Sequence, residues 1–348
     1  MRALVLSDWW TMEVREVPDP IVGPGDVLLE VLATGICGSD VHGFTGDTGR
    51  RAPGQIMGHE TVGRIAAIGA EVYAEPGLVV GGLATVNPVL ACGTCRQCLR
   101  GREQACATRQ VIGVDPTITS AFAERMVVRA ENVVPLPADM PVEYGALVEP
   151  LAVGYHALRQ GDCRDGDTVL VLGGGPIGQA CILAAGRLGA QSVLVSEPDA
   201  HRRRLCERLG AASCPPDAVA DAIDAQFGGG PGLVIDAVGV AATLRTAFAA
   251  APLGATVVLV GMGEPTLELS AFEVSTKERS LVGSFCYSAE EFRATAEWVG
   301  GAPAQLAALV EGRVDLDGAA DEFSRSAKGT DSLSKVLVMP QGVPAAFQ

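Results

Sequence analysis

The run Val169-Leu170-Val171-Leu172-Gly173-Gly174-Gly175-Pro176-Ile177-Gly178 admits few architectures. Unbroken apolar residues bounded by glycine read as a buried strand. Pro176 and the glycine cluster then mark a tight turn into a helix. The stretch from Thr168 to Gly186 carries no charge and is long enough to pass for a membrane span, but a central glycine cluster and a proline argue for strand, turn and buried helix instead. Gly173, Gly175 and Gly178 have GxGxxG spacing. The first allows the turn, the second lets backbone approach a pyrophosphate, and the third lets helix pack close to strand. Free N–H groups at the helix start, around Pro176 and Ile177, then face the phosphates.

The rhythm from Asp167 onward fits that unit. Strand candidates at 168–172, 192–196, 233–237, 256–260 and 280–284 alternate with helix candidates at 177–188, 200–209 and 240–250. Such alternation gives a doubly wound parallel sheet of Rossmann type, an α/β fold. The second strand ends at Ser196-Glu197. A carboxylate at Glu197 accepts from a ribose 2′-OH and repels a 2′-phosphate, which reads as NAD over NADP. Arg202 and Arg203 follow closely and suit a phosphate, so NADP stays open.

Before Gly154 the pattern differs. Short β-like runs, such as Val27–Leu32 and Thr61–Ile68, are punctuated by glycine and proline and suggest a β-rich, barrel-like domain. A chain of 348 residues with 48% hydrophobic content supports two cores. The division expected is 1–154 with 290–348, and 155–289, the strand-like Lys335–Pro340 returning to the first domain. Net charge is −15, which argues against nucleic acid or an anionic membrane face as partner. The apolar run before Asp8 is too short for a secretory leader, so a cytoplasmic protein is expected.

Ten cysteines in such a chain read as metal ligands and reduced core residues. Cys92, Cys95, Cys98 and Cys106 form a CxxCxxCx7C array in a lobe at about 90–108. Four thiolates on one loop make a closed structural zinc site. An iron–sulfur cluster uses the same donors, but a chain with its own hydride acceptor has no need of one. Cys163, Cys181, Cys206, Cys214 and Cys286 are scattered and read as small hydrophobes.

A second donor set is mixed: Cys37 in Gly35-Ile36-Cys37-Gly38-Ser39-Asp40-Val41-His42, His59 and Glu60 in Gly58-His59-Glu60-Thr61-Val62-Gly63, and Glu149 in Val148-Glu149-Pro150-Leu151. Sulfur, nitrogen and oxygen together suit zinc with a position open to water or substrate. Such a centre polarises an alcohol oxygen, and beside a nicotinamide it points to alcohol oxidation by hydride transfer.

The Gly58–Gly63 run, followed by Gly69 and Val72, resembles the signature of the zinc-containing medium-chain dehydrogenase/reductase family. Leu147–Val153 and the segment Lys277–Phe285 with Tyr287 look like its polyol branch: sorbitol, threonine and butanediol dehydrogenases. The resemblance spans essentially the whole chain. It implies a GroES-like catalytic domain, Cys37 and His59 as zinc ligands, and Glu60 and Glu149 as the candidates for the rest of the shell, one binding directly and the other through water, with exchange between them open. It also implies that Ser39 takes the substrate proton, that His42 ends the relay, and that the chain forms a homotetramer or, next, a dimer. A polyol, sugar or vicinal diol is the substrate class it points to. The alternatives are a threonine-type amino alcohol and a zinc-stabilised dinucleotide binder without chemistry. The sequence departs from its relatives at Val80–Ala84, where Gly-Asp-Arg-Val is usual, and at Gly113–Glu124, where Gly-Gly usually precedes Phe-Ala-Glu.

Overall fold

The computed structural model describes residues 1–47, 49–72, 77–329 and 333–345. Contacts divide them into a unit of Met1–Glu149 with Ser288–Gln348 and a unit of Pro150–Tyr287.

The first unit opens with the antiparallel pair β1 (Arg2–Asp8) and β2 (Thr11–Glu16). It continues through β3 (Asp26–Gly35), α1 (Gly38–Thr45), β4 (Glu60–Ile68), β5 (Leu83–Val86), β6 (Val89–Leu90), β7 (Gln110–Val111), β8 (Arg125–Arg129) and β9 (Val133–Leu136). The helix α2 (Val148–Gln160) contains the point where the contacts divide. Val27, Leu29, Val31 and Ala33 of β3 are buried while the residues between them are half-exposed, the period-2 pattern of a strand with one face on a core. Against them pack Ile65, Met126 and Val128. Each such side chain taken from water stabilises by about 1.5–3 kcal/mol.

The second unit carries the parallel sheet. Its elements are β10 (Thr168–Leu172), α3 (Pro176–Arg187), β11 (Ser192–Ser196), α4 (Ala200–Arg208), β12 (Ala212–Cys214), α5 (Val219–Phe227), β13 (Leu233–Asp236), α6 (Ala241–Ala250), β14 (Thr256–Leu259), α7 (Ala271–Ser275) and β15 (Ser280–Gly283). Among the described residues the order is β12-β11-β10-β13-β14-β15, every pairing parallel. Strand order reverses beside β10, the switch point where α/β sheets bind ligands.

The tail supplies α8 (Ala289–Gly300), β16 (Val310–Val314), α9 (Leu316–Ala327) and β17 (Lys335–Val338). Strands β16 and β17 extend the sheet of the first unit, in the order β16-β17-β3-β4-β5-β9 with β8 also on β3. The Leu337–Gly35 pairing sets β17 directly beside β3. Among the described residues no helix is long and apolar enough to cross a membrane; Thr168–Gly186 divides into β10 and α3.

Candidate functional site

Strand pairing builds the mixed donor cluster. Gly35 at the end of β3 lies opposite Glu60 at the start of β4, so Cys37, two residues past Gly35, meets the His59-Glu60 pair. A Cβ on Gly35 would come within 2.0 Å of Glu60 Oε2, so the strand needs glycine there. Donor atoms of Cys37, His59 and Glu60 lie within 4.8 Å of one another. Thiolate, imidazole and carboxylate at that separation fit a divalent cation of zinc type.

A charged framework holds the cluster. Cys37 caps α1 with extended backbone, and its N–H donates to Asp40 Oδ2 at 3.2 Å. Asp40 is fully buried between the Arg51 guanidinium at 3.2 Å and His59 Nδ1 at 3.4 Å. Burial disfavours charge on His59, but the Asp40 carboxylate outweighs it and raises the imidazole well above its ordinary range. A carboxylate behind a ligating histidine orients the ring and strengthens it as a donor. Lys335, at the start of β17, sits on the other side. Its Nζ donates to Glu60 Oε1 at 2.7 Å and to the carbonyl of Ile36 at 3.2 Å, and lies 2.6 Å from Glu60 Oε2. Burial opposes its ammonium charge, yet Glu60 holds it above the usual lysine range.

Glu149 lies outside that donor group, buried in the first turn of α2. It acts on Lys335 through its charge. Ser39 is half-buried and His42 exposed, three residues apart on α1, and the structure places no hydrogen bond between their side chains. The unusual loop 113–122 lies against Gly58: Phe122 donates to Met57 O and Ala121 to Gly58 O. Gln55 reaches Gly113 O and Asp115 O, and Ser120 accepts from the Gly113 N–H at 2.7 Å. This loop therefore braces the residue before His59. At the other departure, Arg64 donates to Gly81 O at 2.8 Å and holds the turn into β5.

The cysteine array closes on itself between β6 and β7. Sulfur separations are 3.9 Å for Cys92–Cys98, 3.5 Å for Cys95–Cys98 and 3.6 Å for Cys92–Cys106. Zinc–sulfur bonds of about 2.3 Å in a tetrahedron require edges of ~3.8 Å, so the four thiols fit that ion. Backbone N–H groups of Thr94 and Cys95 lower the Cys92 thiol to about 6, while burial first, then Cys95, pushes Cys98 up to about 12.

The dinucleotide turn is built as its spacing requires. Gly173 has φ +97°, and a Cβ on Gly178 would stand 1.8 Å from the Gly173 carbonyl oxygen. Nothing lies within 4 Å of a Cβ placed on Gly175, so that face is open at the start of α3, where Gly175 is the cap and Pro176 opens the helix. Ile177 follows, half-exposed. Glu197 is buried and pinned: Oε2 accepts from Gly174 N at 2.7 Å and Oε1 from Asp199 N at 2.9 Å. Arg203 donates to the carbonyls of Glu197 and Pro198 at 2.7 and 2.6 Å, fixing the turn that carries the carboxylate. Arg202 follows in the first turn of α4, its N–H donating to Asp199. Sequence reasoning missed Asp40, Arg51, Lys335 and Gln179, whose side chain donates to Gly174 O.

Residues 23–138 match the family described as Alcohol dehydrogenase GroES-like domain, and residues 176–300 match Zinc-binding dehydrogenase. L-threonine 3-dehydrogenase of Pyrococcus horikoshii is 35% identical, covering 74% of this chain and 75% of that protein. Sorbitol dehydrogenase of Bacillus subtilis is 28% identical, covering 98% and 97%. A crystal structure of a zinc-binding dehydrogenase from Sinorhizobium meliloti, bound to NADP, superposes with a TM-score of 0.87 at 33% identity over 97% of this chain and 99% of that one. The chain therefore belongs to the zinc-binding dehydrogenases, in a GroES-like plus Rossmann arrangement. Within them it falls in the polyol branch of the medium-chain dehydrogenase/reductase family, as a zinc-dependent, nicotinamide-linked alcohol oxidoreductase.

Proposed function

We propose that this protein oxidises a secondary alcohol of a polyol, sugar or vicinal diol with NAD as hydride acceptor, using Cys37, His59 and one carboxylate of Glu60 or Glu149 to hold the catalytic zinc. The observation that carries this is the convergence of the Cys37, His59 and Glu60 donor atoms within 4.8 Å, backed by buried Asp40. Zinc bound there is a Lewis acid that makes a substrate hydroxyl more acidic. Ser39 takes the hydroxyl proton, and His42, exposed on α1, passes it to water. NAD held at the glycine-rich turn would supply the hydride acceptor, so that alcohol and NAD would yield carbonyl, NADH and a released proton. The four-cysteine lobe holds the structural zinc. Gly173, Gly175, Pro176, Ile177 and Gly178 cradle the pyrophosphate, with Arg202 close by. Glu197 favours NAD because a carboxylate repels a 2′-phosphate while keeping lone pairs for the ribose hydroxyls.

The likeness to L-threonine 3-dehydrogenase favours a second reading, an amino alcohol substrate. Initial rates of NAD reduction over polyols, sugars, 2,3-butanediol, threonine and simple alcohols separate the two. Selective turnover of a polyol or diol is the expected result; selective turnover of threonine would displace it. The chain is also read as a cytoplasmic homo-oligomer, a tetramer or else a dimer. Cys163, Cys181, Cys206 and Cys214 are buried thiols outside the two donor clusters, which suits a reducing compartment. The outer strand β15, with Leu281 38% exposed and Phe272 76% exposed nearby in sequence, offers an apolar edge of the kind proteins cover.

A further inference from the structure

We propose that Gln179 is a positioning residue for the dinucleotide, turning the Gly175 N–H toward the pyrophosphate by holding the Gly174 carbonyl from behind. The inference rests on the reading of Gly173–Gly178 as a phosphate turn. Gln179 is 0% exposed and is the one side-chain amide in α3, in a stretch from Pro176 to Gly186 that is otherwise apolar. A buried amide needs hydrogen-bond partners. Its Nε2 donates to Gly174 O at 2.7 Å, and its backbone N–H donates to Gly175 O at 2.9 Å. In a trans peptide the carbonyl and the next N–H point opposite ways, and no peptide among the described residues is cis. Drawing Gly174 O inward therefore turns the Gly175 N–H outward, on a residue where nothing lies within 4 Å of a Cβ built there. Pro176 makes that N–H matter. Proline opens α3 and brings no N–H of its own. Between Gly174 and Ile177, the Gly175 N–H is thus the one donor that the backbone has for a phosphate oxygen. The Gly174 residue is held on its other side too, its N–H donating to Glu197 Oε2 at 2.7 Å. A Cβ on Gly174 would stand 3.0 Å from Cys206 Sγ and from Glu197 Cβ, so the residue is closed in. Beside the Gln179 amide, the Gly174 carbonyl has the Cys206 thiol at 3.7 Å, a weak donor. Without the amide the carbonyl is left short of a strong donor, and turning to find one takes the Gly175 N–H with it.

The test is fluorescence titration of NADH and of NADPH into Gln179→Met beside the unchanged protein. Methionine keeps the length of the side chain and removes the donor. Kd for both dinucleotides is expected to rise ~10-fold, the scale of one buried hydrogen bond lost. The pyrophosphate is common to both, so the NADH to NADPH ratio of Kd should stay where it is. Gln179→Glu supplies a second readout, and stands in should the methionine variant not fold. Its ionised carboxylate has no proton to give to Gly174 O, and NADH binding should weaken as in the methionine variant. Its protonated form donates to that carbonyl, and binding should return. Burial raises such an acid, so its Kd relative to the unchanged protein should recover as pH falls from about 9 to about 6. A Kd equal to that of the unchanged protein, in Gln179→Met or in Gln179→Glu at the higher pH, would overturn the proposal. So would weakening confined to one dinucleotide, which would place the effect at the ribose. An unchanged protein that binds neither NADH nor NADPH overturns the dinucleotide reading and the proposal with it, an outcome distinct from either.

Discussion

Asp40 decides how firmly His59 presents itself, and nothing local in the sequence announces it. Three residues after Cys37 it reads as an ordinary acid in a first helical turn; its role appears once β3 and β4 pair and bring His59 alongside. Lys335 is hidden for a similar reason, since it meets Glu60 across 275 positions of sequence. Cys37, His59 and Glu60 were legible because glycine motifs surround them. Asp40→Asn keeps the shape and removes the charge, leaving Arg51 buried without its counter-ion. Zinc affinity at the Cys37–His59 site should fall ~10–100-fold, measured by chelator competition, while the four-cysteine lobe keeps its ion. Glu197 is a residue-scale matter too. Glu197→Ala should relax the NAD preference, read as the NAD to NADP ratio of kcat/KM; an unchanged ratio would sink the assignment.

At the scale of elements, caps and loops carry the consequences. Asp199 accepts from Arg202 N at 2.8 Å at the start of α4. That backbone bond, foremost, holds its carboxyl below the ordinary range. Its folded pKa is thus below the unfolded value of ~3.9, so its stabilisation is complete above that pH and is lost as pH falls through the folded value. Asp199→Ala should cost about 1 kcal/mol at neutral pH, and the gap in urea midpoints should narrow as pH falls through the folded value. The cysteine lobe depends on its ion in another way, since only two-residue strands flank it. Removing zinc under reducing conditions should open it, so that trypsin cuts at exposed Arg100 and Arg102, seen by mass spectrometry; equal cutting with and without zinc would show that the lobe holds itself. The parallel strands and α3, α4 and α6 were readable because each is a clean apolar run or helical period. Strand β12 and helix α5 were not: three residues, then an alanine- and aspartate-rich stretch, give neither period.

For the whole molecule, sequence order hides what sheet order shows. The tail strand β17 joins β3, some 300 residues earlier, and completes the site with Lys335. The pattern at Lys335–Pro340 announced a strand, but pairing partner and side-chain neighbours are set by tertiary packing, which no local period records. The central claim is that one metal, at Cys37, His59 and a carboxylate of Glu60 or Glu149, does the chemistry while another, at Cys92, Cys95, Cys98 and Cys106, only orders the chain. Zinc content and alcohol-dependent NAD reduction of Cys37→Ser, measured beside the unchanged protein, test it most directly. The account predicts two zinc ions falling to one, turnover abolished and the thermal transition kept. Full turnover in Cys37→Ser would contradict it.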